Sequence, residues 1–414
     1  MDEVNDADPA DSNVAASRPN KAPVTAHPSG RMGHGFLTQV IRGITMVVYF
    51  ITGCFFIFIT QNCGLPLYWL NREWFYAHMA LTKRHFSLLI ILMTQIWGST
   101  TIRISGDGSV AREIRPAKRG GVVFSFPERI VMVANHQIYT DWIYLWWTGY
   151  VNVPQLQGYI YIIMKESLKY IPILGTGMML YGFIFMSRKM ATDQPRMAYR
   201  LGKLRQYKVG PKGEKYLDPM WLLLFPEGTN LAANGYRRST QWAEKNGLRN
   251  PEHVLLPRST GTFFCLNELK GTVDYVYDCT VAYEGIPRGK YGEHYFGLGS
   301  TYLQGRAPKS VNLYWRKFHM DDIPLDDQQK FDVWLRDEWY KKDDLMEEYL
   351  TTGRFPPMPG LATGHIETTV RLNHVREILQ LVTVPAIAWL MWNNIAKVTH
   401  FVSKAAAGQA PGHV

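Results

Sequence analysis

The sequence predicts an α/β domain whose mixed sheet is flanked by helices, preceded by an N-terminal membrane helical pair and followed by a C-terminal apolar helix. Three observations predict it. Short β-rich runs alternate with helical stretches through the middle of the chain, the pattern of a sheet covered by helices. Apolar residues, 46% of the 414, bunch towards the two ends, although the mean hydropathy is only −0.16. A net charge of +10 and a pI near 9.2 suit a chain that meets anionic partners, whether phosphate-bearing lipid, charged cofactor or nucleic acid.

Residues 1–35 are rich in Ala, Pro, Ser, Asn and Asp, lack periodicity, and are expected to form a disordered tail. Asp2, Glu3, Asp6, Asp8 and Asp11 argue against a mitochondrial transit peptide, and no apolar core follows the initiator as in a secretory signal. A membrane helical pair is expected over 36–104. Phe36 to Thr60 is apolar apart from Arg42 and matches the roughly 20 residues that cross a bilayer core. Phe86 to Trp97 is shorter and is expected to dip into one leaflet and return. Of the four cysteines, Cys54 and Cys63 lie in or beside the first apolar run, and Cys265 and Cys279 form no CxxC pair, so neither a disulfide framework nor a zinc site is implied.

An α/β domain is expected over 105–320, with strands at Ile130 to Ala134, Trp221 to Phe225, Val254 to Leu256, Asp278 to Ala282 and Val311 to Tyr314. Several of these run into polar clusters, and open α/β sheets hold their ligands at the carboxyl ends of strands. Residues 321–376 turn charged and helical, with Phe331, Trp334, Leu335, Trp339 and Leu345 near helical spacing, a stripe that reads as core packing. Residues 377–414 hold a last apolar run, Ile378 to Val402, interrupted by Pro385, Asn393, Asn394 and Lys397; it reads as a membrane or interfacial segment with a tail.

Three clusters carry chemistry. Asn135, His136 and Asp141 sit between a strand and a helix. Five residues do not place His and Asp on one helix face, but a bend between them lets the carboxylate hold one imidazole nitrogen and leave the other free as a general base. The same residues also suit an ordinary bonded histidine beside an Asp N-cap. Phe225 to Asn230 end another strand, where Gly228 permits close backbone approach, Thr229 adds a hydroxyl, and Glu227 stands between them. Lys165 and Arg188 are candidate phosphate ligands, Arg by its planar fork and Lys as a point charge. Lys169 and Lys189 read as a solvated basic face.

In chain order, these pieces resemble the four-block pattern of the glycerophospholipid acyltransferase superfamily: NHxxxxD (Asn135, His136, Asp141), GxxFxxR (Gly182, Phe185, Arg188), FPEGT (Phe225 to Thr229), and a final proline-containing segment (Leu255, Leu256, Pro257). The resemblance implies that His136 removes a proton from the hydroxyl of a lysophospholipid, whose alkoxide attacks acyl-CoA without an acyl-enzyme intermediate. It also implies that Asp141 orients His136, and that Asn135, Lys165, Arg188, Glu227, Gly228, Thr229 and Arg258 bind the acceptor. The expected acceptor is 1-acyl-sn-glycerol-3-phosphate, acylated at its sn-2 hydroxyl to phosphatidic acid. The departure at Arg258, in LLPRSTGT, resembles the eukaryotic branch that also holds lysocardiolipin and lysophosphatidylinositol acyltransferases.

The resemblance implies an integral protein of the endoplasmic reticulum membrane with a cytosolic catalytic domain, with acyl-CoA, lysophospholipid and bilayer as partners. No bound cofactor, metal or nucleic acid is expected: acyl-CoA enters as a substrate, the single His/Asp cluster lacks further ligands, and there is no GxxxxGK[ST] or GxGxxG stretch. No GxSxG elbow offers a rival nucleophile. Two rival readings remain, a CoA-independent phospholipid transacylase and a catalytically idle lipid-binding module. The second is hard to reconcile with an intact His136 and Glu227.

Overall fold

The computed structural model describes residues 27–30, 33–118, 120–187 and 189–407. Most of the expected N-terminal tail, residues 1–26 and 31–32, lies outside the described residues, as do 408–414. His27 to Gly30 are not a free tail: His27 Nε2 meets the Tyr295 carbonyl at 2.8 Å, and Ser29 Oγ donates to the Ala307 carbonyl at 2.5 Å.

The helices are α1 (Phe36–Cys63), α2 (Leu67–Leu70), α3 (Arg72–Trp97), α4 (Asp141–Val151), α5 (Leu174–Leu180), α6 (Met190–Leu204), α7 (Ala233–Lys245), α8 (Ser259–Leu269), α9 (Gln328–Thr352) and α10 (Gln380–Ala407). The strands are β1 (Thr101–Gly106), β2 (Ile114–Pro116), β3 (Val122–Phe124), β4 (Arg129–Ala134), β5 (Ile160–Lys165), β6 (Ile184–Met186), β7 (Lys208–Val209), β8 (Lys215–Tyr216), β9 (Met220–Leu224), β10 (Tyr275–Tyr283), β11 (Ser310–His319) and β12 (Ile366–Thr369). Eight of them form one sheet in the order β12-β1-β11-β10-β4-β9-β5-β6. From β10 to β6 every neighbouring pair is parallel, while β10 and β11, and β1 and β12, run antiparallel. The mixed α/β sheet is therefore as expected, and β4, β9, β5 and β6 deliver their carboxyl ends to one edge.

The period of two along each strand divides the core. Ile130, Met132 and Ala134 of β4 face one apolar cluster with Leu88, Tyr144 and Trp146 of α3 and α4. Val131 and Val133 face another, with Met197, Leu266 and Leu335 of α6, α8 and α9. Both faces being covered explains why β4 and β9 read as continuous apolar runs.

Three expectations need correction. Val254 to Leu256 is not a strand. The Leu256 amide donates to Ser239 Oγ, and on either side of the segment the Glu252 and His253 amides donate to Asp343 and the Arg258 amide to the Pro226 carbonyl, so side chains and a turn hold this stretch in place of a ladder. The run Phe86 to Trp97 does not dip into a leaflet. It ends the 26-residue α3, with every residue from Ser87 to Thr94 buried against the domain. Nor does the domain begin at residue 105, since β1 starts at Thr101 and pairs with β11; the charged extension also supplies β12 at the sheet edge.

α1 and α3 do form the helical pair, antiparallel: Tyr49 OH donates to the Leu89 carbonyl and His78 Nε2 meets the Thr60 carbonyl. Lys83 of α3 is buried, its Nζ donating to the Ile160 carbonyl at 3.0 Å. Among the described residues, two helical stretches are long and apolar enough to cross a membrane, Phe36–Leu70 and Val375–His400. Each packs a few apolar side chains into the core, such as Cys54, Ile57 and Leu381, and leaves many others outside it, Phe36 at 87% and Trp392 at 72% exposed.

α9 is fastened to the sheet by buried charge. Lys342 Nζ donates to Asp278 Oδ1 at 2.7 Å, the Cys279 carbonyl at 2.9 Å and Thr280 Oγ1 at 3.1 Å, while Arg316 bridges Asp278 at 2.6 Å and Glu338 at 2.7 Å. Burial pushes the Asp278 carboxyl up, but Lys342 and Arg316 outweigh it and hold the group below the usual carboxylate range. Removing one partner of such a network strands the others. Lys342→Met should cost about 3–5 kcal/mol, whereas Lys341→Ala, at an exposed lysine, should leave the denaturation midpoint in detergent almost unmoved.

Candidate active site

His136 lies two residues past the end of β4, and the chain turns through Gln137 to Thr140 before α4 begins at Asp141. That turn exists because Asp141 folds back into it. Its Oδ2 accepts from His136 Nδ1 at 2.8 Å and from the Ile138 amide at 3.1 Å, and its Oδ1 accepts from Tyr283 OH at 2.5 Å. Asp141 is fully buried, whereas the His136 side chain keeps 18% of its exposure. The imidazole stacks on Phe225 with ring centroids 4.3 Å apart, which leaves Nε2 as the nitrogen without a protein partner among the described residues. A histidine held by a buried carboxylate through Nδ1 and open at Nε2 is placed to act as a general base.

Asn135 does not line the cleft. Its Nδ2 donates to the Val281 carbonyl at 3.0 Å and its Oδ1 accepts from the Val281 amide at 2.8 Å, tying the end of β4 to β10. The expected substrate ligand is instead a strut that places His136.

The second block turns at the end of β9 against the first, the Leu231 amide donating to the His136 carbonyl at 2.6 Å. Gly228 has φ +71°, and a Cβ there would meet Arg258 Cδ at 3.5 Å, so the Arg258 side chain crosses the turn. Glu227 is buried; its Oε1 accepts from Trp339 Nε1 at 3.2 Å, and Oε2 has no partner among the described residues. Burial pushes this carboxyl up to about 8, against the Trp339 indole, the His136 and Leu255 amides and the Lys342 charge. Burial thus favours the protonated form of Glu227.

A cleft of about 1210 Å³ joins these pieces. His136, Lys165, Glu227, Gly228, Thr229 and Arg258 all line it. Lys165 is exposed at the end of β5, whereas Lys169 pairs with Glu166 at 2.6 Å, as its reading as a surface residue requires. Arg188 lies outside the described residues. Asp193 holds the chain on either side of it, accepting from the Ser187 and Lys189 amides at 2.9 and 3.1 Å. At one end the cleft is apolar, between Phe50, Cys54 and Ile57 of α1 and Phe86, Ile90 and Met93 of α3; at the other it reaches Arg238, Asp332 and Arg336. Among the described residues, no group of three or more His, Cys, Asp and Glu side chains is placed to hold a metal ion.

The profile of the family described as Acyltransferase matches residues 110–284, and that described as Acyltransferase C-terminus matches 301–384. The chain belongs to the glycerophospholipid acyltransferase superfamily. It is 34% identical to the 2-acyl-1-lysophosphatidylinositol acyltransferase of Saccharomyces cerevisiae over 87% of this chain and 97% of that protein. It is 30% identical to lysophosphatidylinositol acyltransferase 10 of Caenorhabditis elegans over 70% and 66%, and 29% identical to lysocardiolipin acyltransferase 1 of Gallus gallus over 76% and 74%.

Two residues of this acyltransferase site escape motif reading. Tyr283 closes the second oxygen of Asp141, and Trp339, read as core packing, reaches Glu227 from the C-terminal extension. Both stand more than a hundred residues from their partners, and only their aromatic character within β-rich and helical patterns marked them at all.

Asp141→Asn should lower acyl transfer by about 10²–10⁴ because it removes the negative charge that the imidazolium needs, whereas Tyr283→Phe should cost less; initial rates on both variants check the order. Glu227 supplies a pH signature. Because its folded value stands above its ordinary 4.5, its contribution to stability is full below about 4.5 and is lost as pH rises through about 8. The thermal midpoint of Glu227→Gln should therefore gain on wild type between about pH 4.5 and about pH 8; a constant gap would show that the carboxyl titrates alike in the folded and unfolded protein.

Proposed function

We propose that this acyltransferase moves a fatty acyl chain from acyl-CoA to the free glycerol hydroxyl of lysophosphatidylinositol at the surface of the endoplasmic reticulum, with its cleft on the cytosolic side. The observation that carries the enzymatic part is the His136–Asp141–Tyr283 chain opening into the cleft. The headgroup is supported by the Saccharomyces cerevisiae relative, whose likeness runs over almost its whole length, including the C-terminal extension. Lysophosphatidate, the acceptor expected from the motifs, is the comparison to be made against it.

In this reading His136 Nε2 takes the proton from the acceptor hydroxyl as its oxygen bonds to the thioester carbonyl carbon. The tetrahedral adduct collapses by breaking the C–S bond, and the proton on His136 passes to the departing CoA sulfur. Asp141 orients the ring and stabilises the imidazolium through both steps. Lys165 and Arg258 provide positive charge for phosphate. The apolar end of the cleft takes an acyl chain beside α1, whose exposed apolar face lies in the bilayer.

Detergent-purified protein should acylate lysophosphatidylinositol from labelled oleoyl-CoA faster than lysophosphatidate, lysocardiolipin or lysophosphatidylcholine, and His136→Ala should be silent. Supplying the 1-acyl and 2-acyl isomers separately reads which hydroxyl reacts. Transfer from a phospholipid with no acyl-CoA present would favour the transacylase reading instead.

A further inference from the structure

One face of α9 runs along the polar end of the cleft. Asp332, Arg336 and Trp339 follow one another at steps of four and three residues, which places them in one stripe. Asp332 and Arg336 line the cleft, and Trp339 ends on Glu227. At about 1.5 Å per residue, Asp332 stands about 10 Å along the helix from that contact, within reach of the far side of a ring joined to a phosphate near Arg258. The start of α8 lies alongside: Phe263 packs on Phe331 with centroids 5.3 Å apart, and Ser259 and Thr260 line the same cleft.

Asp332 Oδ1 is buried without a hydrogen-bond partner among the described residues, a costly state for a carboxylate oxygen. The ion pairs of α9 gather in its second half, from Glu338 to Glu347, and among the described residues none engages Asp332 or Arg336. A cleft that must welcome phosphate has thus placed, four residues apart on one helix, an acid and a guanidinium that form no ion pair among the described residues. Neutral hydroxyls would donate to Asp332 and accept from Arg336, whereas an anionic group could only accept and would leave Asp332 unsatisfied.

We propose that Asp332 and Arg336 form a headgroup subsite for a polyol phosphate, which rests on the lysophosphatidylinositol reading and names the residues that would produce it. An inositol ring offers neighbouring neutral hydroxyls to such a pair. Lysophosphatidate has no headgroup hydroxyl, and the free ribose hydroxyl of coenzyme A sits beside a phosphate that Asp332 would repel.

The test measures initial rates of the full-length protein with lysophosphatidylinositol and lysophosphatidate, titrating acceptor and oleoyl-CoA separately. Asp332→Asn and Arg336→Gln should each lower the ratio of kcat/KM for the inositol acceptor over that for lysophosphatidate by about tenfold or more, with the KM for oleoyl-CoA at the wild-type value. Two independent variants, each with its thermal midpoint measured, keep the test valid if one fails to fold. An unchanged ratio overturns the subsite. So does a raised KM for oleoyl-CoA at constant ratio, which would give these residues to the nucleotide. Wild-type protein that ignores lysophosphatidylinositol brings down the acceptor reading itself, before any variant is compared.

Discussion

The site depends on one carboxylate kept out of water. Asp141 has no exposed surface, and both of its oxygens are taken, one by Tyr283 and the other by His136 and the Ile138 amide. A buried charge is tolerable only when its hydrogen-bonding capacity is filled. Here the filling is the architecture: Tyr283 comes from the end of β10, His136 from the end of β4, and α4 starts where the acid itself stands. Pairing of β4 with β10 in register, from Val131 opposite Val276 to Ala134 opposite Cys279, brings these donors to one place. The Asn135 amide then locks the strand ends together at Val281.

From there the constraint spreads to the C-terminal extension. Glu227 sits against the catalytic turn and takes its hydrogen bond from Trp339 of α9. That helix is held in turn by Lys342 on Asp278 and by Asp343 on the 252–253 loop. The catalytic turn, the β10 floor and the extension are therefore one polar assembly, although different family profiles cover them. A truncation just before Gln328 would leave Glu227 buried without Trp339 and Asp278 buried without Lys342, at a cost that a small gain in chain entropy could not offset.

Much of this was legible in the sequence where chemistry and local structure coincide. NHQIYTD and FPEGT each follow a continuous apolar run, so strand, turn and reactive residues could be read together, and β4 and β9 lie where the runs stand. What escaped was decided at long range. Tyr283 and Trp339 have no local signature for the bonds they make. Val254 to Leu256 has strand composition, but the Leu256 amide is claimed by Ser239 of α7, and the amides flanking the segment by Asp343 of α9 and the Pro226 carbonyl. The Phe86 to Trp97 run has the composition of a membrane segment because a helix buried in protein and a helix in lipid face equally apolar surroundings. Lys83, buried against Ile160 and the Tyr161 ring 3.7 Å away, is the residue that tells them apart, since protein offers it a carbonyl and an aromatic face that lipid does not.

The two ends of the cleft give the fold its logic as a catalyst for amphipathic molecules. Its apolar end is walled by α1 and α3, and α1 is also the helix whose outer face remains exposed and apolar. On the proposed function, an acyl chain leaving the bilayer there would move from one apolar surface to another and forfeit little hydrophobic free energy on the way. The polar end lies over α8 and α9, away from that helix, where charge can stay hydrated. His136 stands between them, at the strand ends from which both walls rise. On the proposed function, a lipid bound along this axis would place its glycerol at the imidazole, since its tail and headgroup would be satisfied together in that orientation, converting binding energy at both ends into alignment of the reacting hydroxyl.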